Sequence, residues 1–307
     1  MRRGVFAAIQ IGLSAALLVM AVWIAHPSQL KAELQHANLP WLAATLLMVP
    51  VLIMLRAGRW HVLARTRRPQ IPFARSFHSY LGGLALAVVT PFSAGELARG
   101  AFLAPEDKAG FVGLTFLDKM LDVASLVLLA CVGFMVVAPG RLKIAGLVGV
   151  GLLLLGLVAI RPIAGAAAAR VPQWRFARAL VRASDAARAV PSGVLAGCFV
   201  VAAVNFALLY FHLFVIMYAF APEIDPRAVG LFPLITLSRI VPSIAGLGVR
   251  EFTAGAIFAE AGYSVSSAAA VVAAFCQFVS ANVLPAVAWL TVSGGFRRFF
   301  GGQEGRK

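Results

Sequence analysis

The sequence predicts an all-α polytopic membrane protein, and three observations carry that prediction. Of its 307 residues, 61% are hydrophobic and only 13% are charged, about half the charged share of a soluble domain. The apolar residues come in runs near the length of about 20 that a spanning helix needs, and they continue to near the C-terminus. The Arg and Lys behind the net charge of +15 gather in short segments between these runs, as topology signals do. That placement argues against nucleic acid as a partner. No polar stretch is long enough for a soluble domain, so residues 1–307 read as a single membrane domain.

Six runs fit as simple spans: Val5–Ala25, Leu39–Leu55, Gly110–Ala138, Leu142–Ile160, Val194–Phe220 and Ser267–Val292. His26-Pro27, Pro139-Gly140 and Ala221-Pro222 stop three of them. The first run is long enough to span, and no cleavage site with a soluble region follows it, so it reads as a helix rather than a signal peptide. Cys131, Cys198 and Cys276 lie inside runs, without CxxC spacing, and read as buried thiols.

Two more apolar stretches fit badly as spans. Ser76–Leu103 contains Thr90-Pro91, Gly95-Glu96 and Arg99. Val229–Ala261 contains Arg239, Val241-Pro242, Gly246, Gly248 and Arg250-Glu251. Broken helix and charge at membrane depth survive only when buried in protein or lining a cavity. Both stretches are therefore expected to be re-entrant hairpins. Between Arg161 and Ser192, five arginines accompany Trp174 and Phe176; an interfacial basic helix is expected there, with a solvated connector as the plainer reading.

With Met1-Arg2-Arg3 placed inside, six crossings and two re-entrant hairpins return the C-terminus to the cytoplasm. Most of the 27 basic residues then fall on the cytoplasmic side, as the positive-inside rule asks. The hairpins also share a pattern. Pro91-x-x-Ala94-Gly95-x-x-x-Arg99 and Pro242-x-x-Ala245-Gly246-x-x-x-Arg250 align at one offset, and that offset carries neighbouring runs onto neighbouring runs. Repeat one is expected over about 1–140 and repeat two over about 141–295, with a basic tail at 296–307. Three spans per half invert one repeat against the other, the arrangement of many secondary transporters.

The hairpin tips are the candidate site. Half-helix N-termini suit an anion, and Gly95, Gly246 and Gly248 let backbone come close to a ligand. Arg99 and Arg250 offer planar forks of donors to a phosphate; the plainer reading pairs Arg99 with Glu96 and Arg250 with Glu251. Asp118 and Asp122 share one helix face, with Lys119 beside them. They read either as a local ion pair or as a network for Arg99 or a proton. Arg56, Arg59 and Trp60 read as snorkelling anchors at a cytoplasmic helix end, or as guides for a headgroup. Asn205 and Asn282 are expected to join helices by hydrogen bonds. No nucleophile–base pair, metal-ligand cluster or phosphate loop is recognisable, so neither enzyme activity nor a cofactor is expected.

In order, Arg56-x-x-Arg59-Trp60, Thr90-Pro91-x-x-Ala94-Gly95-Glu96-x-x-Arg99, Asp118-Lys119-x-x-Asp122 and Pro242-x-x-x-Gly246-x-Gly248-x-Arg250-Glu251 resemble the transmembrane domain of lysylphosphatidylglycerol synthases, a flippase-like family. The resemblance covers nearly the whole chain. In bifunctional members this domain moves aminoacylated phospholipid to the outer leaflet, and a separate soluble domain makes that lipid. The resemblance implies a stand-alone member that flips a phosphate-bearing lipid across the bacterial inner membrane, without aminoacyl transfer. It implies Pro91, Gly95, Glu96, Arg99, Asp118, Lys119, Asp122, Arg239, Pro242, Gly246, Gly248, Arg250 and Glu251 around the lipid, with Arg56 and Arg59 guiding its headgroup. Expected partners are membrane lipids, anionic or aminoacylated phospholipid foremost; a second copy of the chain and a lipid-modifying enzyme are further candidates. Rival readings are a polyprenyl-phosphate or hopanoid-type cargo, and a non-transporting membrane partner of a lipid-modifying enzyme.

Overall fold

A computed structural model describes residues 19–23, 26–90, 94–104, 107–137, 143–153, 185, 189–238, 246–260 and 262–292. Every regular element among these residues is helical. The order is α1 (Pro27–His36), α2 (Leu39–Arg67), α3 (Phe73–Val89), α4 (Ala98–Leu103), α5 (Lys108–Val137), α6 (Lys143–Leu153), α7 (Ser192–Phe220), α8 (Phe232–Leu237), α9 (Val249–Glu260) and α10 (Ser267–Val292). Short 3₁₀ turns, Ala94–Leu97 and Pro226–Leu231, lead into α4 and α8.

Helices α2, α5, α7 and α10 are each long and apolar enough to cross a membrane. The shortest has 26 residues, roughly 39 Å at about 1.5 Å per residue, against a hydrocarbon core of about 30 Å. The protein is therefore an all-α, multi-pass membrane protein. Polar caps set several helix starts. Asn38 accepts from the Trp41 amide, Asp225 from the Arg227 amide and Ser266 from the Ala269 amide, each satisfying a donor that the first turn leaves orphaned.

The two remaining expected spans are only partly visible. Residues 19–23 of Val5–Ala25 are helical, and Lys143–Leu153 is the helical part of Leu142–Ile160. The basic stretch Arg161–Ser192 lies almost wholly outside the described residues, as does the tail after Val292. The second span is longer than its apolar run. It continues from Leu55 to Arg67, because Ala, Arg and Leu favour helix and no proline interrupts the chain between Leu55 and Pro69.

Both broken stretches fold back. In the first, α3 packs along the Ala94–Leu97 turn and α4. The approach is close: a Cβ on Gly83 would lie 2.8 Å from Arg99 Cβ, and one on Gly95 would strike the backbone of Leu86. Ser79 Oγ donates to the Arg99 carbonyl at 2.6 Å and ties the arms together. In the second, α8 meets α9 across a turn containing Gly246 and Gly248. Their φ angles of 79° and 81° belong to the left-handed region that glycine enters without a Cβ penalty.

Helix α7 sits at the centre. It packs against α2, α5 and α10, and its Leu209, Leu213, Ile216 and Met217 join Phe232, Ile235 and Phe258 in one core. Ala269, Ala270, Ala273 and Ala274 give α10 a small-residue face in that core, which suits close helix packing within lipid. A second core surrounds Trp60, Leu63, Leu103, Phe111 and Leu114. Pro285 cannot donate to the helix ladder, and the π turn Val279–Val283 precedes it in α10.

Candidate functional site

Between the two cores lies a cavity of about 240 Å³. Arg56 and Arg59 reach it from α2, Tyr80 from α3, Lys119, Asp122, Val123 and Leu126 from α5, Phe206 from α7 and Asn282 from the π turn of α10. The first broken stretch contributes Glu96 and Arg99, and the second contributes Thr236 and Gly246. Arg56, Asp122, Phe206 and Asn282 each lie near the middle of their long helices. Charge at that depth is costly in a bilayer and marks a functional site by default.

An ion network lines one wall. Arg59 Nε lies 2.7 Å from Asp118 Oδ1, and Arg59 Nη2 donates to Asp122 Oδ1 at 2.6 Å. Arg99 Nη2 pairs with Asp118 Oδ2. Lys119 Nζ pairs with Glu96 and stands 3.4 Å from Asp122. Asp118 is fully buried and serves both arginines. Its helix places it one turn from Asp122, so one face of α5 meets α2 and the first tip together. The Arg99 guanidinium also lies over the Trp60 ring, 4.5 Å from its centroid, a favourable cation–π stack.

Arg56 differs from its neighbours. Its Nε donates to Asn205 Oδ1 at 2.7 Å, and Asn205 Nδ2 donates to the Leu52 carbonyl at 3.2 Å. Among the described residues, no carboxylate lies within ion-pair distance of Arg56. Asn205 thus joins α7 to α2 as expected, in part through the cavity-lining Arg56. Asn282 donates at 3.4 Å to Phe278 within its own helix and joins no second helix through that bond.

Several sequence expectations change here. Arg99 takes Asp118 as its carboxylate and leaves Glu96 to Lys119. Asp118, Lys119 and Asp122 form the partner network of Arg99 rather than an isolated local pair. Arg59 and Trp60 are buried, at 5% and 0% exposure, so they are not snorkelling anchors; α2 continues beyond them to Arg67. Two of the tip amides are also occupied. Gly95 N donates to Thr90 Oγ1 at 2.8 Å, and Gly248 N donates to Glu251 Oε2 at 2.7 Å. Side chains of the same segments thus satisfy these two donors, which were expected to meet an anion.

Arg250 pairs with Glu251 and packs over Phe278, 4.9 Å from the ring centroid. Neither Arg250, Glu251 nor Gly248 lines the cavity. Pro91, Arg239 and Pro242 lie outside the described residues. Tyr80 and Thr236 are lining residues that sequence reasoning missed. Their signal was only that of single hydroxyls in apolar stretches, which is common in spans. The described residues hold no cluster of His, Cys, Asp and Glu suited to a metal ion.

An all-helical membrane domain with a mid-helix ionic cavity is thus the class that fold and site define. Its family follows from the sequence as a whole. The family model described as the lysylphosphatidylglycerol synthase TM region matches residues 7–286, and the chain belongs to that family. No curated protein matches the chain.

Proposed function

We propose that this chain translocates a phosphate-bearing lipid across the bacterial inner membrane, with its headgroup in the cavity and its acyl chains in the surrounding lipid. The observation that supports this reading is the cavity itself. It lies halfway along four long helices, both broken stretches reach it, and it holds cationic groups at a depth where a lipid headgroup needs help to pass. Its volume of about 240 Å³ suits a headgroup and is below the roughly 300–1,000 Å³ of pockets that enclose whole drug-sized ligands. Family membership favours a lipid-related membrane role.

In this reading the two halves form inverted repeats with both termini cytoplasmic, and they rock about the cavity to open it to each leaflet in turn. The polar residues work by differential solvation. They replace the water that a phosphate loses on leaving the interface, so the barrier to crossing falls. Purified protein in liposomes should move a fluorescent phospholipid between leaflets faster than empty liposomes do. Arg99→Ala should slow that movement by tenfold or more, because it takes away one of the two cation partners of buried Asp118 beside the cavity. Wild-type and empty liposomes with equal rates would remove the transport reading.

A further inference from the structure

We infer that Arg56 is the phosphate-binding residue of the cavity and that the site selects a phosphodiester, with one negative charge, over a phosphomonoester with two. The inference rests on the lipid-headgroup reading above and names the charge class of that headgroup.

Four cations belong to the site: Arg56, Arg59, Arg99 and Lys119. Arg59 contacts Asp118 and Asp122, Arg99 contacts Asp118, and Lys119 contacts Glu96 and Asp122. Three carboxylates thus engage three cations. Arg56 is the remaining one among the described residues. Its hydrogen-bond partners are neutral: Asn205 takes the Nε hydrogen and Tyr80 is a second side-chain partner, so among the described residues its terminal NH₂ groups meet no carboxylate. Those groups form a fork that matches two oxygens of one phosphate.

A diester presents two non-bridging oxygens and one charge, which this fork matches in number and sign. A monoester brings a third terminal oxygen and a second charge. Satisfying that charge requires drawing Arg59, Arg99 or Lys119 away from its carboxylate, and the carboxylate then stays behind unpaired at membrane depth. Breaking one partner from a buried pair is strongly unfavourable. The preference therefore comes from the ion network and not from the size of the phosphate.

Binding can be measured apart from transport. Detergent-solubilised protein is titrated with dihexanoyl phosphatidylglycerol as the diester and dihexanoyl phosphatidic acid as the monoester. The titrations run at about pH 8, above a second phosphate pKa of about 6. The diester should bind about tenfold tighter or more, as expected for one uncompensated charge. Arg56→Gln should lose at least about tenfold in diester affinity, and Arg56→Lys should fall between, since it keeps the charge without the fork. Thermal unfolding of each variant checks that it is folded; if Arg56→Gln does not fold, the Arg56→Lys titration and the wild-type diester preference decide. Equal or tighter monoester binding by wild type overturns the inference, as does diester binding by a folded Arg56→Gln that equals wild type. Selective binding without lipid movement in liposomes leaves the inference standing and removes the transport reading. Lipid movement that Arg56→Gln leaves unchanged does the reverse.

Discussion

Asp118 is the residue on which the ion network depends. It is fully buried and meets both Arg59 and Arg99, while Asp122 meets Arg59 and Lys119 from the next turn of α5. A buried ion pair adds little net stability over an apolar pair, but removing one partner strands a charge. Asp118→Asn should therefore destabilise the folded protein by about 3–5 kcal/mol, read as a fall in the unfolding temperature in detergent. Asp118→Asn combined with Arg99→Gln should recover part of that loss, because the double variant strands one charge fewer. An additive double variant would refute the coupling. The residue types needed for this network were visible in the sequence, and so was the one-turn spacing of Asp118 and Asp122. Their partners were not, because Arg59 lies 59 positions before Asp118, and sequence spacing does not state a distance in space.

At the level of the element, the first hairpin closes through glycine. A Cβ on Gly95 would meet the backbone and side chain of Leu86, and backbone cannot swing aside as a flexible side-chain tip can. Gly95→Ala should cost about 1–3 kcal/mol, in the range of an overpacked core, and should slow lipid movement as the tip is displaced. Gly58 in α2 provides the contrast. A Cβ there meets nothing within 4 Å, so Gly58→Ala should be neutral or stabilising by up to about 1 kcal/mol through helix propensity alone. The unfolding temperature should fall in Gly95→Ala and hold or rise in Gly58→Ala. Pro, Gly and charge inside apolar runs announced both hairpins. The limits of the elements were less legible: the α2 helix outlasts its apolar run by twelve residues, from Arg56 to Arg67, and those twelve contain Arg56, Arg59 and Trp60.

For the molecule as a whole, charge is distributed unevenly. The offset that sets Arg99 against Arg250 sets Asp118, Lys119 and Asp122 against Ala269, Ala270 and Ala273. The described ion network therefore sits on the first half of the chain, and the corresponding face of α10 is packed core. At the helix ends, a further ion pair links distant segments: Asp107, just before α5, pairs with Arg67, the last residue of α2. The Arg67 hydrogen bond holds the Asp107 carboxyl below its usual pKa. A depressed carboxylate pKa contributes stability above the unfolded value of about 3.9, and that stability is lost as pH falls through the folded value. Acidification below about pH 4 should thus lower the unfolding temperature more in wild type than in Asp107→Asn. The side chains are 41% and 36% exposed, so water screens the pair and the difference should stay below about 1 kcal/mol. Equal acid sensitivity in both proteins would show that the pair adds no stability.

The sequence by itself determined the class of the protein, the broken stretches and the charged residues available to a site. Hydropathy, helix breakers and charge are local properties, and the bilayer reads them locally. Only the tertiary structure decided which charges meet. It buried Arg59 and Trp60, gave Arg99 to Asp118, filled the Gly95 and Gly248 amides from Thr90 and Glu251, and left Arg56 lining the cavity with Asn205 and Tyr80 as neutral partners. Ion pairing falls off with separation in space and strengthens with exclusion of water, and both are set by how helices far apart in the chain pack together.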